Sequence, residues 1–402
     1  MTRRGVLAIT SAAIVLFSML AGASPVAAGS ASGAAHNKRV CAATPAGYAA
    51  CHSRVVTDAN LHPLATTTWG NRGYSPDQLR AAYGLTTDST TKVAIVDAYA
   101  NPNAAPDLAF YRAAFNIGGT GTLTQYNQTG DSISTVSGNV GWGQEEMLDL
   151  EMVSAICPSC QIIYVGANSN SFNDLATAVD QAFSLGAKVI SNSYGGSEFR
   201  SESLIAGHYS HPGVAITVSS GDSGYGVQIP AAFNTVTAVG GTTLTLNADG
   251  LTRANETVWS GAGSGCSAYI AKPAWQSDGA TCARRTVADV AADADPNTGV
   301  AVYDSYGSTG GANWYVFGGT SVAAPIIGAV YALSGITSGT TSDVPAAELA
   351  YTNAGSLFDV TSGSNGRCVR GKNTSSAYLC TGGAGYDGPT GNGTPYGSKG
   401  LS

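Results

Sequence analysis

Two serines of this 402-residue chain stand in settings that suit a nucleophile: Ser223 in "SSGDSGYG" (219–226) and Ser321 in "FGGTSVAAP" (317–325). The run before Ser321, "WYVFGG", reads as a strand ending on two glycines, and "SVAAPIIGAVYAL" reads as a helix that Ser321 opens. At a helix N-terminus the positive end of the dipole can stabilise an oxyanion, and the glycine pair lets a substrate backbone come close. Such a serine needs a proton acceptor. In "GQEEMLDLEM" (143–152) Glu145 and Asp149 are spaced i,i+4, so both carboxylates leave one helical face. In solvent such a pair only repels. Partly buried against a sheet, one member holds a proton at a raised pKa and can exchange it, so Glu145 can serve as base towards Ser321 with Asp149 orienting it. Asp222 follows the apolar run "VAITVSS" (214–220), which puts it at the carboxyl edge of a strand. Charged, it would repel an oxyanion; protonated, it donates a hydrogen bond to one. The working residue of Gly-Asp-Ser-Gly is then the aspartate, with Ser223 a bystander.

The elements that must hold these residues alternate. A capped helix is expected over 73–85, with Ser75 as N-cap and Pro76 at the first helical position. Strands are expected over 92–100, 161–167, 188–196, 214–220 and 235–241, and helices over 107–115, 145–156 and 172–187. Within 145–156, Leu148, Met152 and Ile156 form an apolar stripe. Near-continuous apolar strands separated by helices predict an α/β fold, a mostly parallel central sheet with helices on both faces, whose site lies beyond the carboxyl ends of the strands. Gly-Asp-Ser-Gly also surrounds the nucleophile of trypsin-like proteases, but those are all-β, and Tyr225 breaks the usual glycine run.

Gly-Thr-Ser-x-x-x-Pro around Ser321 resembles the nucleophile signature of the subtilisin-like fold. A subtilisin uses Asp, His and Ser. Asp97 stands where its aspartate would, but only His208 and His211 lie between 97 and 321, neither in a His-Gly-Thr context. Taken together, "EEMLDLE", "SSGDSG" and "GGTSVAAP" resemble the sedolisin family of serine-carboxyl peptidases, from about Tyr74 to the C-terminus. The resemblance implies a subtilisin-like fold and a triad of Ser321, Glu145 and Asp149, with Asp222 in the oxyanion hole and Asp97 supporting the acids. It implies that Ser193, Tyr194 and Gly195 of "VISNSYGG" pair with substrate backbone. In "LFDVTSGSNG" and "GGAGYDGPTGNG" it implies one structural Ca2+ ion on Asp359, Val360, Gly383, Gly385 and Asp387, an all-oxygen set suited to a hard cation. The activity implied is hydrolysis of polypeptides at acidic pH. Two other readings stay open: an Asp97–His208–Ser321 protease, and a secreted binding protein that keeps the fold without turnover.

Composition places the chain. Residues 1–28, with Arg3 and Arg4 before a long apolar run and Val26-Ala27-Ala28 at its end, read as an export signal. Residues 29–72 read as an N-terminal extension or short propeptide, briefer than the separately folded prodomain typical of sedolisins, and 73–402 as the peptidase domain. The eight cysteines fall in close couples, Cys41 and Cys51, Cys157 and Cys160, Cys266 and Cys282, Cys368 and Cys380, which in an exported chain read as disulfides. A net charge of −7 with no basic cluster argues against nucleic acid, and no later apolar run suggests a membrane span. A secreted monomer is expected.

Overall fold

The computed structural model describes residues 1–2, 36–279, 282–335, 345–368 and 376–402. The export signal expected over 1–28 lies outside the described residues except for its first two. The chain separates into Met1–Gly33 and Ala34–Ser402, and all elements below belong to the second unit.

Three short strands come first, β1 (His36–Arg39), β2 (Ala50–Cys51) and β3 (Arg54–Thr57). Helix α1 (Pro76–Ala82) then opens on a capping box. The Gln78 amide N–H donates to Ser75 Oγ at 3.4 Å, and the Ser75 N–H donates to Gln78 Oε1 at 3.0 Å. Next are β4 (Lys92–Ala98), α2 (Ala104–Ala114), β5 (Thr122–Asn127), α3 (Val140–Ile156), β6 (Gln161–Ala167) and α4 (Phe172–Ser184). The chain continues through β7 (Val189–Asn192), β8 (Tyr194–Ser197), β9 (Ala215–Ser219), β10 (Gln228–Ile229), β11 (Thr237–Leu246) and β12 (Arg253–Val258). It closes with β13 (Gly265–Ala271), β14 (Arg284–Val287), β15 (Val290–Asp293), β16 (Val300–Tyr303), β17 (Trp314–Gly318) and α5 (Thr320–Ser334).

The central sheet runs β12-β11-β9-β7-β4-β6-β5, with β15 also paired to β11. Every pairing is parallel except β11 with β12. This is the expected α/β architecture, and alternation along the strands sorts residues between its two faces. Val93 and Ile95 of β4 pack in one core with α3 and α5 residues, whereas Ala94, Val96 and Ala98 pack with those of α4. Asp97 shares the parity of Val93 and Ile95, so it faces α3 and α5.

Two expectations need correction. Helix α3 carries its Leu148, Met152 and Ile156 stripe, but it is not amphipathic: every residue from Glu145 to Ile156 is buried. It packs against α1, α2, α5 and the sheet, so its four carboxylates (Glu145, Glu146, Asp149, Glu151) are all interior. The single strand expected over 188–196 is two. β7 stays in the central sheet, and after Ser193 the chain leaves it as β8, the middle of a small antiparallel sheet β10-β8-β2. A third sheet, β1-β3-β17-β16, is antiparallel, so Arg54 and Val55 of β3 pair with the strand leading to Ser321. The cysteines pair as neighbours: Cys41–Cys51, Cys157–Cys160, Cys266–Cys282 and Cys368–Cys380.

Candidate active site

Strand β17 ends at Gly318, and Gly319 turns the chain into α5 with φ +103°, a region favourable to glycine. Ser321 is therefore in the first turn of a helix buried from Thr320 to Leu333, at the end where β7 and β9 run out. Its hydroxyl donates to the Ser193 carbonyl at 3.2 Å. The Glu145 carboxyl faces it from α3. The hydroxyls of Ser321 and Ser53 lie beside Glu145 and favour its charged form, though neither meets it in hydrogen-bonding geometry. Burial dominates, and the Glu145 carboxyl is pushed up to about 8. Asp149, one turn on, is raised well above the usual carboxylate range by burial and by the charge of Glu145. Asp97, from β4, is raised likewise by burial and then by Asp149, Glu145 and Glu146. Both oxygens of each of these three carboxyls lack a hydrogen-bond partner. The arrangement is a buried acid cluster that holds protons into neutral pH and can pass one to or from Ser321.

Asp222 approaches from the loop after β9. Its Oδ1 accepts from the Thr320 N–H at 2.8 Å and from Thr320 Oγ1 at 3.0 Å. Its Oδ2 is buried without a partner. Burial raises the group to about 7, partly offset by the Thr320 bonds and by the nearby Arg54 and Arg39 charges. Below that pH the free oxygen is an O–H donor. Ser223 is exposed and accepts from the Arg39 guanidinium, clear of this cluster. His208 and His211 both pair with Asp180 on α4, at 2.6 and 3.2 Å, which leaves neither placed as a base for Ser321.

One occupant was not anticipated. Residues 49–55 run through the site in extended conformation. The Ala49 N–H donates to the Asn170 carbonyl at 2.8 Å, and Ala50 and Cys51 pair antiparallel with Gly195 and Tyr194. The His52 N–H donates to the Ser193 carbonyl at 3.1 Å, and the Ser321 N–H donates to the His52 carbonyl at 3.2 Å. Arg54 and Val55 then pair with Gly318 and Phe317 of β17. The His52 ring is buried, with Nδ1 at 2.7 Å from Ser219 Oγ and Nε2 at 2.8 Å from Gln228 Oε1, and burial pushes its pKa down to about 4. Nothing local in "AACHSRVV" signals this placement; the nearby Cys41–Cys51 couple marked only a staple.

In the C-terminal segment, Asp359 Oδ2 accepts from the Gly385 N–H at 2.9 Å, and Asp387 Oδ2 from the Gly383 N–H at 3.2 Å. Asp387 is buried and raised to about 7, with the Asp359 charge contributing. Among the described residues no group of three or more His, Cys, Asp or Glu is arranged to hold a metal. A cation here would therefore need backbone carbonyls as well as the two carboxylates. Two neighbouring carboxylates that make no ion pair among the described residues, on a glycine-rich turn, fit a hard cation.

The subtilase family model matches residues 120–366. Sedolisin of Pseudomonas sp. (strain 101) is 31% identical over 364 residues, covering 80% of this chain and 59% of that protein. Kumamolisin of Bacillus sp. (strain MN-32) is 30% identical over 288 residues, covering 63% of this chain and 50% of that protein. The chain thus spans a little over half the length of these relatives. The solved structure of Pseudomonas sedolisin, a serine-carboxyl proteinase complexed with two molecules of pseudo-iodotyrostatin, superposes with a TM-score of 0.67 at 27% identity, over 81% of this chain and 96% of that one. Sphericase, at 20% identity and a TM-score of 0.51, shares the fold.

Proposed function

The chain belongs to the sedolisin family of subtilisin-fold peptidases, and from that premise we propose that it is an exported serine-carboxyl endopeptidase acting on polypeptides at acidic pH. The observation that carries this reading is a peptide carbonyl, that of His52, receiving the Ser321 N–H at 3.2 Å on the Asp222 side of Gly319. A Cβ at Gly319 would meet the His52 carbonyl oxygen at 2.0 Å and Asp222 Oδ2 at 2.6 Å, so both oxygens crowd the same glycine.

Ser321 Oγ attacks the substrate carbonyl while Glu145 takes its proton, with Asp149 sharing the charge and Asp97 behind it. The oxyanion receives the Ser321 N–H and the protonated Asp222 Oδ2. Collapse returns the proton from Glu145 to the leaving amine, and water repeats the sequence on the ester. Ser193, Tyr194 and Gly195 hold the substrate backbone as they now hold Ala50, Cys51 and His52. One Ca2+ on the carboxylates of Asp359 and Asp387 and the carbonyls of Val360, Gly383 and Gly385 would supply the missing positive charge and tie the tail down. Export is supported by the apolar leader and by four disulfides. Among the described residues no helix is long and apolar enough to cross a membrane.

The test is a pH–rate profile from about pH 3 to about pH 9 on mixed peptides, with Ser321→Ala as blank. A Ser321-dependent optimum on the acid side is expected. A neutral optimum would overturn the carboxyl assignment, and no difference from the blank would overturn the peptidase reading.

A further inference from the structure

Four carboxyls outside the proposed chemistry are buried near one another: Glu146 and Glu151 on α3, Asp107 on α2, and Asp304 just after β16. Together they hold residues 304–313, which connect β16 to β17. Glu151 accepts from the Tyr303 N–H at 3.0 Å, and Asp107 from the Ser305 N–H at 2.7 Å and from Ser305 Oγ at 2.9 Å. Asn101, just beyond β4, links the other two. Its N–H donates to Glu146 Oε2 at 2.6 Å, and its Nδ2 donates to Asp304 Oδ1 at 2.9 Å. Asp304 Oδ1 also accepts from the Tyr306 N–H at 3.0 Å, whereas Oδ2 is buried without a partner. Among the described residues none of the four carboxyls belongs to an ion pair.

The connection they hold is a wall of the cleft. Tyr306 and Gly307 lie on the first turns of α3, where a Cβ at Gly143 would meet Tyr306 Cδ1 at 3.1 Å and one at Gly307 would meet Val140 Cγ1 at 2.6 Å. Ser308, Thr309 and Ala312 then line a hollow together with Gln144 of α3 and Tyr315 of β17. Gln144 precedes the proposed base Glu145 in the chain. Val55, which pairs with β17 beyond Ser53, borders the same hollow, so the hollow lies on the leaving-group side of Ser321.

We propose that Asp304 is a positioning residue: neutral, it clasps the 304–313 connection to α3 through Asn101, and ionised, it lets that wall of the cleft go. Its effect on substrate rests on the peptidase reading above. Asp304 is faced by Asp107 from α2, by Glu146 and Glu151 from α3 and by the Tyr315 phenol from β17, with Asp97 of β4 and Tyr164 of β6 behind Glu146. Lys38 borders the hollow but forms no ion pair with any of them. Burial pushes Asp304 up to about 7 against its Tyr306 and Asn101 hydrogen bonds, and the Asp107 charge adds to the rise. Glu146 and Glu151 are raised by burial, with the Asp304 charge adding to each. A charge on Asp304 would therefore stand among acids, with no donor for Oδ2. The clasp is complete below about pH 4, where the unfolded carboxyl titrates, and is lost as pH rises through about 7.

Hydrogen exchange of residues 304–313 is measured at about pH 5 and about pH 8 in full-length Ser321→Ala protein, corrected for the intrinsic pH dependence of exchange. Exchange is expected to quicken by about tenfold or more at the higher pH. It should stay level when Asp304→Asn is added, because the amide keeps the Oδ1 acceptor and never ionises. Asn101→Ala, which unlinks the clasp, should exchange fast at both values, and both variants are checked for folding by circular dichroism. In parallel, active protein is given two peptides that differ only in length beyond the scissile bond. KM for the longer one should rise by roughly fivefold between the same pH values and stay level in Asp304→Asn, with KM for the shorter one unmoved in either protein. Exchange that ignores pH, or that quickens equally in Asp304→Asn, would overturn the clasp. The expected exchange with a level KM for both peptides would overturn the role in positioning substrate. The expected exchange with no hydrolysis of either peptide would overturn the peptidase reading and leave the clasp standing.

Discussion

At the scale of single residues, the proposed chemistry turns on carboxyls that burial holds towards their neutral form. Asp222 is the clearest case, because the role proposed for it differs from that of the other acids: it would donate rather than accept. Raised to about 7 chiefly by burial, it donates below that pH and loses its proton, and with it the hydrogen bond, as pH rises through it. Asp222→Ala should lower kcat by roughly 10²- to 10³-fold. Asp222→Asn keeps an N–H donor at every pH, so it should retain part of the activity and extend the alkaline limb of the pH–rate profile upward. An unchanged limb in the Asn variant would mean that another group sets it. Glu145, Asp149, Asp222 and Ser321 could be picked from the sequence because each sits in a short run whose residue types suit one role. His52 could not. Its placement depends on partners at Ser193, Gln228 and Ser321, more than a hundred residues away, and an isolated histidine carries no periodic or motif signal.

At the scale of elements, the site is built where strands stop. Gly319 joins β17 to α5 at a positive φ and with the occupant's carbonyl oxygen close over its Cα. Gly319→Ala is expected to lose activity by at least roughly a hundred-fold while costing about 1–3 kcal/mol in stability, measured as kcat/KM beside a thermal melt; near-normal activity would remove the close approach from the mechanism. Strand and helix bounds were legible wherever local signals were strong. The Ser75–Gln78 box marks the start of α1, and β6 spans Gln161–Ala167 as its apolar run predicts. Helix α3 begins five residues before the expected Glu145 because Asn139 caps it, its side chain accepting from the Trp142 N–H at 3.1 Å, while Gly141 and Gly143 mask the helix in the sequence. The break between β7 and β8 was hidden for a tertiary reason. The run carries no glycine or proline before Gly195, but beyond Ser193 its partners are β2 and β10 rather than the central sheet.

At the scale of the whole molecule, buried carboxyls tie stability to pH. Glu145 and Asp222 are raised to about 8 and about 7, and Asp97 and Asp149 are raised as well, so the folded chain binds protons that the unfolded chain releases near pH 4. Their contribution is full below about pH 4 and is lost as pH rises through about 7 to 8. Urea unfolding midpoints should therefore fall between pH 4 and pH 8, and a rise would contradict the burial argument. The proposed Ca2+ ion should act in the opposite direction, because the carboxyl of Asp387, which burial raises to about 7, binds it better once charged. Chelation is expected to lower the melting temperature more at pH 7 than at pH 4, and Asp387→Asn should abolish that difference. Finally, β3 and β17 join Val55 to Phe317, about 260 positions apart in sequence. Joining positions so far apart costs loop-closure entropy that the contact itself must repay. The pairing that seats the strand delivering Ser321 is therefore also the one that lays Arg54 and Val55 beside it, so completing the cleft and covering it rest on the same backbone contacts.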